Sequence, residues 1–220
     1  MDTVSKKIKM NNQIKKIIYS NNLDGYILPK NDNYFTEYSK INSLKSITKF
    51  SGSAGFAIFL KNKQYLFVDG RYTIQAEKEA GNKFIICEIP YVWPKNILNK
   101  NIKIGFDPNL FTNETLFKYF GDEYNLYPLN YKFKTKKKIT NGSFFYSLKT
   151  SVVGESPLQK INQLVKTMNN KKIDYIFVSS GENVCWLLNI RGKDLPNSPV
   201  ANCKMILTKK KQIFFFFRQK

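Results

Sequence analysis

A short pattern near the start of this chain returns about 150 residues later, and that repeat limits the possible fold more than any other feature. Leu23-Asp24-Gly25-Tyr26-Ile27-Leu28 is mirrored by Ile173-Asp174-Tyr175-Ile176-Phe177-Val178. Ala57 to Phe67, an apolar run broken by Lys61-Asn62-Lys63, is mirrored by Met205 to Phe215, broken by Lys209-Lys210-Lys211. The two matches lie 150 and 148 residues downstream of their counterparts. Similar order at nearly constant offset implies two copies of one unit. About sixty residues follow the hairpin in the first copy, whereas the second stops at Phe217-Arg218-Gln219-Lys220. The second copy is therefore expected to be half of the first, with an apolar sheet edge that another chain must cover.

Periodicity supplies the elements of each copy. Val4, Ile8, Ile14, Ile17 and Ile18 fit one face of a helix capped at Asp2 or Thr3. A buried strand at Tyr26-Ile27-Leu28 and a hairpin over 56–68 follow, then a helix from Tyr72 that ends at Gly81. Strands at 84–89 and 103–106, a helix capped by Thr112 and a strand near Leu126 complete the unit. Alternating strands and helices predict an α/β layered domain over 1–131. A linker is expected over 132–156, and the first half of the second domain over 157–220. There Pro157 opens a helix whose apolar face is Leu158, Ile161, Leu164, Val165 and Met168.

Composition narrows the chemistry. The formal charge is +20, yet the lysines are scattered, and Arg71, Arg191 and Arg218 are the only arginines. Joint enrichment in Lys, Asn, Ile, Phe and Tyr reads as codon bias, and Lys132 to Lys138 as a solvated linker, so nonspecific nucleic-acid binding ranks last. There is no histidine, which removes histidine metal ligation and the Ser-His-Asp and Cys-His mechanisms. Cys87, Cys185 and Cys203 are widely spaced, as suits buried small hydrophobes better than a disulfide framework or a zinc site. No run approaches the roughly 20 apolar residues of a membrane span, and polar Asn11-Asn12-Gln13 stand where a signal peptide would be apolar. A cytoplasmic protein is expected.

Several motifs carry a resemblance. Asp24-Gly25-Tyr26-Ile27-Leu28-Pro29, Phe50-Ser51-Gly52-Ser53-Ala54-Gly55 and Val68-Asp69-Gly70-Arg71-Tyr72-Thr73-Ile74-Gln75-Ala76 resemble, in order and spacing, the first domain of aminopeptidase P, the Xaa-Pro aminopeptidase family. Gly154-Glu155-Ser156, Cys185-Trp186-Leu187-Leu188-Asn189-Ile190-Arg191-Gly192-Lys193-Asp194 and Asn197-Ser198-Pro199-Val200 resemble the second domain of its three-domain form. The resemblance implies a creatinase N-terminal-like (ribonuclease H-like) mixed sheet with flanking helices, followed by a truncated second copy. It also implies a separate or missing pita-bread catalytic domain holding two divalent ions, usually manganese, on Asp, Glu and His ligands. In the complete enzyme that domain releases the N-terminal residue from peptides with proline second, within a homodimer. Nothing in this chain corresponds to those ligands, so the chain alone is expected to be inactive, with no catalytic residue, metal or cofactor of its own. Its expected role is to form the dimer surface and wall the substrate entrance.

On the same resemblance Arg71 is the candidate substrate-binding residue, near the mouth of the catalytic domain; pairing with Asp69 or a backbone carbonyl is the structural alternative. Arg191 and Asp194 are candidates for the inter-domain wall or for a buried pair. Trp186, in Val184-Cys185-Trp186-Leu187-Leu188, is expected in the core of a short helix. Gly52-Ser53-Ala54-Gly55 lacks the Lys-Ser/Thr of a P-loop and precedes a strand, so it reads as a tight turn. The competing function is a stand-alone peptide- or protein-binding module of the same fold.

Overall fold

The computed structural model describes residues 11–32, 35, 42–122, 124–131, 133, 145–195 and 197–217. Asp2, Thr3, Val4 and Ile8 of the expected first helix, most of the Lys132–Lys138 cluster and Arg218 lie outside them. The chain divides into two compact units, with the break after Lys137.

The first unit opens with α1 (Asn12–Ser20), where the Asn11 side chain caps the Gln13 N–H at 2.9 Å and Ile14, Ile17 and Ile18 form the buried face. Then come β1 (Gly25–Pro29), α2 (Ser43–Thr48), β2 (Phe56–Leu60), β3 (Gln64–Asp69), α3 (Thr73–Ala80), β4 (Ile85–Ile89), α4 (Pro94–Ile97), β5 (Lys103–Phe106), α5 (Asn113–Phe120) and β6 (Asn125–Pro128). Thr112 caps α5 as its sequence implies, accepting from the Thr115 N–H at 3.1 Å. The strands form one sheet in the order β4-β3-β2-β1-β5-β6. β2 runs antiparallel to both its neighbours, and every other adjacent pair is parallel.

Side chains alternate across such a sheet, so a strand buried on both faces feeds two cores. Tyr26 and Leu28 of β1, with Phe59, Leu66 and Val68, point to a layer under α1, α2 and α3. Ile27, with Phe56, Ile58, Tyr65 and Phe67, points to the opposite layer, closed by Leu98, Phe111 and the α5 residues Leu116 and Phe120.

The second unit contains β7 (Tyr146–Ser147), α6 (Thr150–Val153), α7 (Pro157–Asn170), β8 (Tyr175–Val178), α8 (Gly181–Leu188), β9 (Ile190–Arg191), β10 (Cys203–Thr208) and β11 (Ile213–Phe217). The described end of the expected linker thus carries a strand and a helical turn, with β7 paired to β9. Pro157 opens α7 behind a capping box in which Ser156 and Gln159 bond reciprocally. The buried stripe of α7 is Lys160, Ile161, Val165 and Met168; Leu158, expected on that face, is exposed.

The repeat is real in three dimensions, with one correction. β8, β10 and β11 pair as β1, β2 and β3 do, with the antiparallel strand central. The second hairpin loop, however, has four residues against three in the first. Pairing therefore sets Phe214 opposite Ile206 as Tyr65 lies opposite Ile58, whereas letter-by-letter matching equates Phe214 with Leu66. One residue of slip exchanges the faces. With the structural register, Phe177, Ile206, Phe214 and Phe216 stand where Ile27, Ile58, Tyr65 and Phe67 stand in the first unit. The inner face, with Ile176, Val178, Met205, Leu207 and Phe215, packs with residues of α7 and α8. On the outer face Phe177 is 58% and Phe214 52% exposed, because no described residue plays the part of α5.

Candidate functional site

The end of β3 builds the candidate site of the first unit. After Asp69 the backbone makes a single 3₁₀ turn, Gly70–Tyr72, before α3 begins. Asp69 caps that turn: its Oδ1 accepts from the Arg71 N–H and Nε, both at 3.0 Å, and its Oδ2 accepts from Nη2 at 2.8 Å. Fork-to-fork geometry fixes the guanidinium plane, which also lies 5.3 Å from the Tyr72 ring. The Arg71 hydrogen bonds hold the Asp69 carboxyl below its ordinary value. The structural alternative for Arg71 is thus present, and the same pairing holds an exposed cation in a fixed orientation.

The Phe50–Gly55 segment is strapped to the following helix. The Ser51 N–H and Oγ–H donate to the two oxygens of Glu79, each at 2.6 Å, and Gln75 Nε2 bridges both groups at 2.9 and 3.1 Å. The hydroxyls of Ser53 and Tyr72 share a hydrogen bond of 2.7 Å. Two motifs about twenty residues apart in sequence therefore meet as one loop cluster. Gly55 has φ +142°, and a Cβ there would lie 2.7 Å from the Phe67 carbonyl oxygen, so the turn before β2 requires glycine.

Burial pushes the Glu79 carboxyl up, but the hydrogen bonds from Ser51 and Gln75 outweigh it and hold the group below 4.5. A carboxyl lowered in the folded state stabilises fully above its unfolded pKa and loses that contribution as pH falls through the folded one. Glu79→Gln is therefore expected to cost about 1–3 kcal/mol at pH 7 and to flatten the acid limb of stability below about pH 4.5. Urea titrations at pH 7 and pH 3 check this; an unchanged acid limb in the variant would remove Glu79 from the account.

The second unit places its candidates differently. Trp186 is not core: it is 60% exposed on α8, with the Lys160 ammonium 4.4 Å from its ring centroid. Apolar neighbours hid this, since Val184, Cys185 and Leu187 take the buried face and Trp186 falls between them. Arg191 Nη1 donates to the carbonyls of Ile190 and Cys185 at 2.8 and 3.3 Å, while Asp194 accepts the Asn202 N–H at 2.8 Å. Each thus serves a backbone group that closes the α8–β10 connection. Cys185 and Cys203 are both buried; the hydrogen bond between their thiols draws Cys185 down and pushes Cys203 up.

A feature that sequence reasoning missed is the buried Lys160. Its ammonium donates to the Trp186 carbonyl and to Asn189 Oδ1, and Asn189 Nδ2 donates to the Glu155 carbonyl at 2.8 Å. The signal lay in spacing, since Lys160, Leu164 and Met168 fall four residues apart on one stripe.

No group of three or more His, Cys, Asp or Glu among the described residues is placed to hold a metal ion, and a chain without histidine does not fit a dinuclear Asp/Glu/His set. No helix among the described residues is long and apolar enough to cross a membrane.

Comparison with known proteins agrees with this geometry. Residues 12–128 and residues 137–220 each match a family described as the creatinase/prolidase N-terminal domain. A probable Xaa-Pro aminopeptidase P of Laccaria bicolor is 30% identical over 92% of this chain and 34% of its own length. Xaa-Pro aminopeptidase 1 of Dictyostelium discoideum is 28% identical over 96% of this chain and 37% of its own. Among solved structures, the X-prolyl aminopeptidase of Caenorhabditis elegans, described as a cytosolic enzyme with a di-nuclear active site, superposes with a TM-score of 0.76 at 26% identity. It covers 89% of this chain, which covers 35% of it. The chain spans about a third of the length of the curated relatives it matches. By its matched residues and its mixed sheet with flanking helices, the chain belongs to the creatinase/prolidase N-terminal domain family and has Xaa-Pro aminopeptidases as homologues.

Proposed function

We propose that this chain acts as the non-catalytic N-terminal portion of an Xaa-Pro aminopeptidase, working with a metal-dependent catalytic portion that releases the N-terminal residue from peptides with proline second. The observation that carries the reading is the joint match to Xaa-Pro aminopeptidases along nearly the whole chain, together with a donor set that offers no metal site among the described residues. The two divalent ions, manganese in this reading, belong to the catalytic portion, and no step of the chemistry is assigned to this chain. Its domains in this reading are 1–131 and the partial copy 157–220, with 132–156 between them. Its tasks are dimer contact and walling of the substrate entrance, in a cytoplasmic enzyme like the one described from Caenorhabditis elegans.

Arg71 is the residue that meets substrate here. Asp69 orients its guanidinium, and a planar donor suits a peptide carbonyl or carboxylate better than a lysine ammonium does. The outer face of β8, β10 and β11, with Phe177, Phe214 and Phe216 exposed, suits contact with a further polypeptide surface.

The test is a chimera in which residues 1–220 replace the matched N-terminal part of the Caenorhabditis elegans enzyme, assayed with manganese on an Xaa-Pro peptide. Cleavage is expected from the chimera and none from the isolated chain. Arg71→Lys is expected to raise KM about tenfold with kcat nearly unchanged, as loss of one charge-assisted contact requires. Cleavage by the isolated chain, or a KM indifferent to Arg71, defeats the corresponding part of the proposal.

A further inference from the structure

Helix α8 packs directly against the chain that enters β10. A Cβ on Gly181 would stand 2.5 Å from the Ala201 carbonyl oxygen, so this approach requires glycine. Cys185 follows Gly181 by one helical turn, on the buried face of α8 with Val184 and Leu187. Cys203 follows Ala201 by two residues, and both are wholly buried, as alternate residues of a chain entering a sheet. The two cysteines, eighteen residues apart in sequence, thus meet in the core of the second unit. Their thiols are hydrogen-bonded to each other.

A thiol buried alone is inert, because burial raises its pKa. Cys87 in the first unit is that case: its thiol donates only weakly, to the Ile85 carbonyl at 3.9 Å, and burial pushes it up to about 11. Cys185 has the opposite surroundings. The Cys203 thiol and the Ala201 backbone hydrogen-bond to its sulfur and outweigh its burial, and the Arg191 guanidinium adds to the effect. That guanidinium is held nearby, with Nη1 on the Cys185 carbonyl at 3.3 Å. The reactive thiolate therefore falls on Cys185, with a second thiol beside it to resolve an oxidised sulfur.

We infer that Cys185 and Cys203 form a modification site, a dithiol that hydrogen peroxide converts to a disulfide joining α8 to β10. The Cys185 thiolate attacks the O–O bond, becoming a sulfenic acid, and the departing hydroxide takes up the Cys185 proton as water. The Cys203 sulfur then attacks the sulfenic sulfur. An S–S bond forms, and the second hydroxide leaves as water with the Cys203 proton. Two thiols lose two electrons in all, and one peroxide gains them. The bond closes the connection that carries Arg191 and Asp194. The inference stands apart from the peptidase reading, because it uses only side chains of the second unit and its test involves no peptide cleavage.

The test treats the folded full chain with hydrogen peroxide, alkylates the remaining thiols in urea and maps tryptic peptides without reduction. Arg191 and Lys193 lie between the two cysteines, so trypsin puts them on separate peptides that only a disulfide joins. The Cys185 and Cys203 peptides are expected as a joined pair, with Cys87 alkylated. Closing this loop is expected to raise the urea midpoint of the second unit by about 1 M, reversibly with dithiothreitol. Trp186 fluorescence in a Trp93→Phe background reads that midpoint. Cys203→Ala is expected to abolish the link and to leave Cys185 as sulfinic or sulfonic acid, for want of the resolving thiol. Cys87→Ala is expected to change nothing. Peroxide added in urea is expected to scatter links over Cys87 as well, which shows that folding selects the pair. Three alkylated cysteines after treatment of the folded chain, links to Cys87 as frequent as the Cys185–Cys203 link, or a linked form no more stable than the reduced one overturns the inference.

Discussion

Phe67→Ala is expected to remove about 3–5 kcal/mol from the stability of the first unit. Phe67 is fully buried on β3, one strand in from the sheet edge, and stacks on Phe56 at 4.6 Å, and Phe56 in turn stacks on Tyr119 at 4.2 Å. Truncation thus loses the transfer energy of the ring, one stacked pair, and the support of a second ring that holds α5 to the sheet. Neighbours cannot collapse into the gap, because Phe67 lies on a strand paired on both sides and its backbone position is set by β2 and β4. Against a typical total of about 5–15 kcal/mol for a domain, this is a large fraction. The two tryptophans make the measurement local: with Trp186→Phe as background, Trp93 fluorescence reports the first unit alone, since its ring stacks on Tyr119. The urea midpoint should fall by about 1 M or more. A shift below about half that would mean the second layer of the sheet contributes far less than its burial implies.

That second layer shows what was legible in the sequence and what was not. Strand β5 falls on the residues its apolar pattern marks, Thr112 and Pro157 stand where caps and first turns need them, and the D-G-R-Y motif closes β3 as expected. These are local signals, decided by a few neighbouring residues. The letter-by-letter match is displaced by one residue in β11 because pairing depends on loop length: one added residue in the hairpin changes which phenylalanines are covered, and a run of four phenylalanines has no alternation to betray the shift. Trp186 was misread because size and hydrophobicity favour burial, whereas its position on α8 faces it outward over Lys160. The Ser51–Glu79 strap was invisible because its partners are 28 residues apart and neither is unusual in its own surroundings. Only the register shows which four side chains of the second unit stand where the covered ones of the first stand.

Lys160→Ala is expected to cost the second unit about 3 kcal/mol, more than any exposed lysine of that unit. Lys160 is 4% exposed, and its ammonium is the donor for both the Trp186 carbonyl and Asn189 Oδ1. Asn189 ends α8 in the left-handed region, at φ 54°, and reaches back to the Glu155 carbonyl just before α7. One cation therefore ties the start of one helix to the end of the next, in a unit whose core is built on one face of a three-stranded sheet. Alanine leaves the Trp186 carbonyl and the buried Asn189 Oδ1 without their donor. Lys160→Arg should not restore the loss, because a planar fork cannot occupy the site of a compact ammonium. A pH signature separates this from simple packing. Burial lowers the Lys160 pKa below 10.5, with Arg191 adding to the effect and Glu155 opposing it. Between the lowered value and 10.5 the unfolded chain binds more protons than the folded one, so this residue makes stability rise with pH in that window. Lys160→Met keeps the stem and removes the titration, so the difference between wild type and Lys160→Met should widen as pH rises through the window. Trp186 fluorescence in a Trp93→Phe background follows the second unit, because its ring lies against the Lys160 ammonium. A difference that stays flat with pH, or an alanine variant as stable as the wild type, would show that the helices are held by their apolar stripe alone and that the buried lysine is a passenger.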